Sequence, residues 1–169
     1  MTVKLKTPSN GSVSLTPQDT AADVVLTVPA KTGTVMNSGN MPAFIAYPTS
    51  EQSVTPNTAT KIIFAGELAD TNNCFTNSRF TPNVAGYYIF TVMLHAINSP
   101  NGCFGSIYKN GSEYSRVAHA ASSILASGST IVYLNGTTDY VEVYASTPAT
   151  AFYSGINLMS FSGCLLRAA

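Results

Sequence analysis

Charge is what this sequence has least of: eight basic and eight acidic residues make up 9% of its 169 positions and cancel. Nucleic-acid affinity comes mostly from Lys and Arg neutralising phosphates, so a basic phosphate-tracking surface is excluded, as is charge-driven docking to a membrane. Cysteine is also scarce. Cys74, Cys103 and Cys164 are odd in number, no two stand at a Cys-x-x-Cys spacing, and no disulfide framework is implied. No stretch approaches the roughly 20 apolar residues of a membrane span, so no membrane insertion is expected. The opening Met1-Thr-Val-Lys-Leu-Lys-Thr-Pro has no apolar run after its two lysines, and no secretory signal is expected there. A soluble chain made in a cytoplasm is the resulting expectation. Hydrophobic residues reach 45%, enough to offset chain entropy, which argues against disorder. A surface this neutral invites association.

Helix signals are almost missing. Leu is sparse, Gly, Pro, Ser, Thr and Asn are abundant, and apolar residues alternate rather than recur at three and four. Four Asn-Gly pairs, at positions 10–11, 101–102, 110–111 and 135–136, supply the positive backbone angles of tight turns. Between them lie short runs rich in Val, Ile, Tyr, Phe and Thr, at 43–47, 61–64, 86–95, 105–108, 129–134, 140–145 and 160–166. Many short strands at this spacing read as an all-β sandwich or barrel. The length fits one domain, or one domain with a short appendage.

A shift in composition at Met36-Asn-Ser-Gly-Asn-Met41 divides the chain. Residues 1–40 hold two weak strands, 12–16 and 23–28, too few for a core of their own, and read as an N-terminal attachment arm. Residues 41–169 read as the main domain. Within it, the run Tyr87 to His95 is apolar on both faces: Tyr88, Phe90, Val92 and Leu94 on one, Tyr87, Ile89, Thr91, Met93 and His95 on the other. The runs 130–134 and 140–144 behave alike. A two-sheet sandwich buries only its inner faces, so the second apolar face needs a cover. A third layer from the leading segment or a subunit interface would provide it, and Tyr and Met are residue types that interfaces favour. Self-association is the expectation, with Tyr87, Ile89, Met93, His95, Ile131, Tyr133 and Tyr144 as its side chains.

The same residues carry a resemblance. Phe64, Asp70 and Phe75, followed by Phe80, Gly86, Tyr88 and Phe90, resemble the signature of the complement C1q-like domain, whose jelly roll is shared with tumour necrosis factor. The Phe75 to Phe80 gap is two residues shorter than the usual pattern, and Val92 stands where an aromatic is expected. Downstream, Ile107-Tyr-Lys-Asn-Gly111 is similar to that family's hairpin, Val132 to Val143 to its strand pair around a turn, and Phe161-Ser-Gly-Cys-Leu-Leu166 to its closing strand. The resemblance implies a jelly-roll sandwich of about ten strands and a homotrimer, with Phe64, Phe75, Phe80, Gly86, Tyr88, Phe90, Phe161 and Gly163 as its core signature. Gly86 is expected to let the chain enter the sheet at a tight bend. The leading segment, with Ser12-Val-Ser-Leu-Thr-Pro, Asp23-Val-Val-Leu-Thr-Val-Pro-Ala and Lys31-Thr-Gly-Thr-Val35, resembles the lead-in of bacteriophage virion proteins. Together the two imply a structural virion protein: the trimeric head of a tail fibre or related appendage, contributing to host adhesion and bound to other virion proteins through its arm. A capsid cement protein and a soluble glycan-binding module are the alternatives.

Chemistry is hard to find. His95 and His119 are the only histidines, no Gly-x-Ser-x-Gly elbow accompanies them, and no enzyme is expected. Paired carboxylates suit glycoside hydrolysis or calcium, and some members of the resembling family bind calcium. Neither Glu67 with Asp70 nor Asp139 with Glu142 forms an EF-hand-like ligand run, so both pairs read as surface turn acids, and no metal or cofactor is expected. Asp70-Thr-Asn-Asn73 reads as a turn closed by its own side chains. Tyr108, Asn110, Tyr114 and Tyr153, placed at loop tips or strand ends, are the residue types that stack on sugars and bond their hydroxyls. They are the candidate contacts to a host surface glycan.

Overall fold

The computed structural model describes residues 3–16, 25, 35–99, 102–120 and 124–169. Contacts divide the chain into two compact units, Met1–Gly33 and Thr34–Ala169. In the first, β1 (Val3–Lys6) and β2 (Ser12–Leu15) form an antiparallel hairpin. Its turn uses Asn10 at φ 65°, a left-handed conformation that Asn tolerates. Leu5, Val13 and Leu15 share one face of this hairpin and are all more than half exposed. A two-stranded hairpin is marginal by itself in water. The expected strand at 23–28 lies outside the described residues except for Val25.

The second unit begins with a 3-10 turn (Ser38–Asn40), capped by the Asn37 side chain, which accepts from Gly39 N at 2.8 Å. Met36 packs against the core and Asn72 Nδ2 donates to Gly39 O at 3.1 Å. Residues 36–40, assigned to the arm from sequence, are thus attached to the main domain. Beyond this turn the chain runs through strands: β3 (Ala43–Tyr47), β4 (Gln52–Ser53), β5 (Thr60–Lys61), β6 (Gly66–Asp70), β7 (Phe75–Thr76), β8 (Arg79–Phe80) and β9 (Gly86–His95). Then come β10 (Cys103–Lys109), β11 (Ser112–Ala120), β12 (Leu125–Leu134), β13 (Val141–Ser146), β14 (Ala151–Phe152) and β15 (Ser160–Ala168).

Two antiparallel sheets face each other, the first in the order β12-β9-β15-β3-β6 and the second in the order β11-β10-β13-β8-β7, with β5 beside β13. The chain keeps crossing between them, which makes the fold the jelly-roll sandwich the sequence implies. One expectation is corrected by the crossing. Residues 132 and 143 do not belong to a strand pair around a turn, because β12 lies in the first sheet and β13 in the second. The loop between them folds on Asn135, whose Oδ1 accepts from the backbone N of Thr137, Thr138 and Asp139 at 3.0, 3.0 and 2.9 Å. The hairpin of β10 and β11 does form, with both Asn110 and Gly111 at positive φ, as a two-residue turn of this kind requires. The run 61–64 is strand only at its start. Its continuation is still anchored, Ile62 N donating to Val143 O at 2.9 Å and Phe64 N to Ser78 Oγ at 2.8 Å.

The core lies between the sheets. Tyr88, Phe90, Val92 and Leu94 of β9 are fully buried, and Phe44 of β3, in the same sheet, stacks on Phe75 and Phe80 of the facing sheet with ring centroids 4.8 and 4.7 Å apart. Phe161 meets Phe44 edge-on at 4.9 Å. Each such ring contributes roughly 1.5–3 kcal/mol by leaving water. Close backbone approaches complete the sandwich. At Gly86 a side chain would sit 2.3 Å from Arg167 O, so this glycine is there for the contact of β9 with β15 rather than for the expected bend. At Gly128 a Cβ would lie 1.6 Å from Val117 O, which is how β12 abuts β11 along one side.

Candidate functional site

The two outer faces of the sandwich differ in chemistry. On the first sheet, alternation that buries Tyr88 and Phe90 turns Tyr87, Ile89, Thr91, Met93 and His95 outward. Register sets Ile131 of β12 opposite Ile89 and Tyr133 opposite Tyr87. The two tyrosine rings lie 5.4 Å apart, and the Thr91 and Ser129 hydroxyls bond at 2.8 Å. Tyr87 and Ile131 are 46% and 48% exposed, and Tyr133, Ile45 and Leu125 are exposed to a similar degree. Their uncovered parts amount to on the order of 400 Å² of carbon, the size at which a patch on a soluble domain commonly marks an interaction site. Next to these large side chains, several small residues of β3, β6 and β15 stand together. Ala43, Ala69, Thr91, Gly163 and Cys164 line a groove of about 310 Å³ between Ile45 and Ile89. The face therefore carries bulky side chains beside a recess.

Six of the seven residues expected at an interface share this face. Tyr144 does not. Because β13 crosses to the second sheet, Tyr144 lies on the opposite outer face, stacked on Tyr108 at 4.1 Å. His95 stands at the end of β9 with its ring 4.7 Å from that of Tyr153, and both of its nitrogens are without a hydrogen-bond partner among the described residues. Of the core signature, Phe64, Phe75, Phe80, Tyr88, Phe90 and Phe161 are buried between the sheets, Gly86 faces Arg167, and Gly163 leaves room for the Phe90 ring.

The second sheet's outer face is polar and aromatic. Glu142 is not the surface turn acid that the sequence suggests: it is 3% exposed, and its Oε1 accepts from Lys61 Nζ at 2.7 Å and Arg79 Nε at 2.9 Å. Burial opposes its ionisation, but the two cations outweigh that opposition and hold the carboxyl below the usual carboxylate range. Arg79 also covers the Tyr140 ring at 3.8 Å. Ser106 Oγ donates to Glu113 Oε1 at 2.7 Å. Asp139 is held low by its hydrogen bond from Asn110, aided by Lys109 at 3.0 Å. Asp70 behaves as expected, its carboxylate accepting from Cys74 N and Phe75 N at 3.0 and 2.8 Å. Glu67 of the same pair is exposed on β6.

The structure does not bring the four candidate sugar contacts together. Tyr108 stacks on Tyr144, and Tyr153 packs on His95. Tyr114 Oη donates to Ile131 O at 3.4 Å. The Asn110 amide is already used within the loops, donating to Asp139 Oδ1 at 2.7 Å and accepting from Tyr140 N at 3.0 Å. Sequence reading missed a row at one end of this face, where His119, Phe104 and Ser146 stand side by side across β11, β10 and β13. The alternation of β10 and β13 holds that signal, but only after their register is known. Cys74 and Cys103 are buried, and burial pushes both thiols up; Cys164 is exposed. Among the described residues no group of three or more His, Cys, Asp or Glu is placed to hold a metal ion.

Comparison with known proteins bears on the second unit. The family model of the C1q domain matches residues 43–166. The globular domain of the zebrafish complement 1qA protein is similar in structure, with 17% identity, a TM-score of 0.57, and coverage of 76% of this chain and 99% of that one. Murine APRIL is also similar, in its structures at pH 5.0 and pH 8.0, with 9% identity, TM-scores of 0.60 and 0.59, and coverage of 75% and 99%. At such identities the likeness is one of fold. No curated protein matches the sequence.

Proposed function

The chain belongs to the C1q domain family, and from that premise we propose that it is a non-enzymatic, homotrimeric structural protein of a bacteriophage virion, the head of a tail fibre or related appendage that contributes to host adhesion. The observation that carries this reading is the apolar outer face of the first sheet. Three copies around a threefold axis cover it, the bulky side chains of one copy meeting the recess of the next, so that each groove receives side chains from its neighbour. Trimers are usual in this family, and a heterologous contact that closes into a ring leaves no copy with an uncovered face. A near-neutral chain adds little charge repulsion between copies.

The virion setting rests on the arm. Its sequence resembles virion lead-ins, and the β1–β2 hairpin has outer edges that no third strand of its own unit pairs among the described residues. Strand addition to an acceptor protein satisfies such edges. The test is deletion of residues 1–33 in the parent phage, with purified particles assayed by quantitative mass spectrometry. A folded trimer that is missing from particles supports an attachment arm, and a full-length copy number of a few per particle supports an appendage. Incorporation of the truncated protein at normal level overturns the arm's role. Hundreds of copies per particle overturn the appendage in favour of capsid cement.

A further inference from the structure

The cavity on the second sheet's outer face is not used by self-association. Its volume is about 330 Å³, at the small end of the roughly 300–1,000 Å³ range of small-molecule pockets. His119, Phe104 and Ser146 form its cross-strand row, and Asn57, Ala120 and Pro148 complete the wall. Its base is rigid. The buried Thr147 hydroxyl bonds Ser99 Oγ at 3.0 Å and Gly102 O at 3.1 Å, and Asn57 N donates to Thr147 O at 2.8 Å. The cavity is therefore preformed rather than assembled by its occupant.

Two kinds of chemistry meet in the wall. Phe104, Ala120 and Pro148 present carbon. The Asn57 amide and the His119 imidazole are exposed and make no side-chain hydrogen bond to any described residue, so they are open to a ligand, while Ser146 is buried at the edge of the wall. Among the described residues, unpaired charge is absent from the neighbourhood. Arg116 lies over the Phe104 ring at 4.2 Å and faces Glu113 at 3.8 Å, while Lys61 and Arg79 are both held by Glu142. No Lys or Arg stands in the wall itself among the described residues, so an anion finds no cation there. A ligand that matches has one carbon-rich face, a rim of hydroxyls that both donate and accept, and no net charge.

The geometry points to a binding site for a single neutral pyranose, the terminal sugar of a surface glycan, with its C–H face toward Phe104 and its hydroxyls toward Asn57 and His119. This deepens the adhesion reading and rests on it. The full-length protein is tested by saturation-transfer NMR against the methyl glycosides of glucose, galactose, mannose and N-acetylglucosamine, each beside its free reducing sugar. At least one glycoside binds in the millimolar range, and no more weakly than the free sugar, as a glycan terminus requires. Phe104→Ala weakens it about tenfold and Asn57→Gly about threefold or more, whereas Tyr108→Ala, elsewhere on the same face, leaves it unchanged. Asn57 is exposed and holds a φ of 58°, which glycine adopts freely, so Asn57→Gly removes the amide without backbone strain and reports on binding even where Phe104→Ala loosens the sheet. Absence of binding by the whole panel overturns the site, as does binding that neither variant weakens. Preference for the free sugar overturns the glycan assignment. Light scattering on the same samples separates the two readings. A trimer without sugar binding refutes this site alone, and a sugar-binding monomer refutes the trimer alone.

Discussion

Replacing Ile131 with Asp places a carboxylate at the centre of the apolar face, opposite Ile89. Inside a single chain the change is mild, because the side chain is 48% exposed and loses about 0.5–1 kcal/mol of strand propensity and cross-strand contact. In the trimer it is severe. Covering the exposed half of each isoleucine contributes roughly 1 kcal/mol per copy, at about 25 cal/mol per Å². An unpaired carboxylate in the same place costs several kcal/mol to desolvate. Three copies together lose roughly 10 kcal/mol, which is about seven orders of magnitude in the association constant. Light scattering at micromolar concentration should report three times 17.8 kDa for the natural sequence and 17.8 kDa for the variant, with circular dichroism unchanged. Ser112→Asp, on an exposed strand of the other sheet, should stay trimeric. A variant at position 131 that keeps the full trimer mass on dilution would refute the placement of the interface.

Packing and electrostatics give three further expected outcomes. Glu142 has a folded-state pKa below its unfolded value, so its stabilisation is complete above the ordinary Glu range and is lost as pH falls through the folded value. The urea midpoint should fall on acidification below about pH 4.5, and Glu142→Gln should cost about 2 kcal/mol at pH 7 while removing this part of the acid dependence. Gly128→Val forces β12 away from Val117 O, with an expected loss of about 3 kcal/mol and about 10 °C in Tm by calorimetry; an unchanged Tm would mean that β11 and β12 do not abut. Phe44→Ala empties the centre of the ring cluster and should cost about 3–5 kcal/mol in chemical denaturation.

The core face was legible where alternation and large side chains coincide. The bounds of β9 and its buried set, Tyr88, Phe90, Val92 and Leu94, can be read directly from the sequence. Strand β11 was not legible, because Ser112-Glu-Tyr-Ser-Arg is a polar edge whose pairing comes from the Asn110–Gly111 turn rather than from burial. The crossing from β12 to β13 was hidden for a different reason. A short loop between two apolar strands looks like a hairpin, and only the pairing of β12 with β9 and of β13 with β10 shows the chain leaving its sheet. That crossing is also why Tyr144 was grouped with the wrong face. The cavity residues Asn57, Phe104, His119 and Ser146 are far apart in sequence, and no local pattern joins them before register does.

Thiol counting tests whether the outer face of the first sheet is covered by sister chains. Cys74 and Cys103 are buried within the sandwich, whereas Cys164 lies exposed in the groove of that face on a single chain. The native protein at micromolar concentration is treated with a chromogenic disulfide reagent, first folded and then in denaturant. Three reactive thiols per chain are expected after denaturation and none reacting rapidly before it, with one becoming reactive in the folded Ile131→Asp variant. One thiol per chain reacting rapidly in the native protein would contradict this, since the groove would then be open to solvent and the face uncovered.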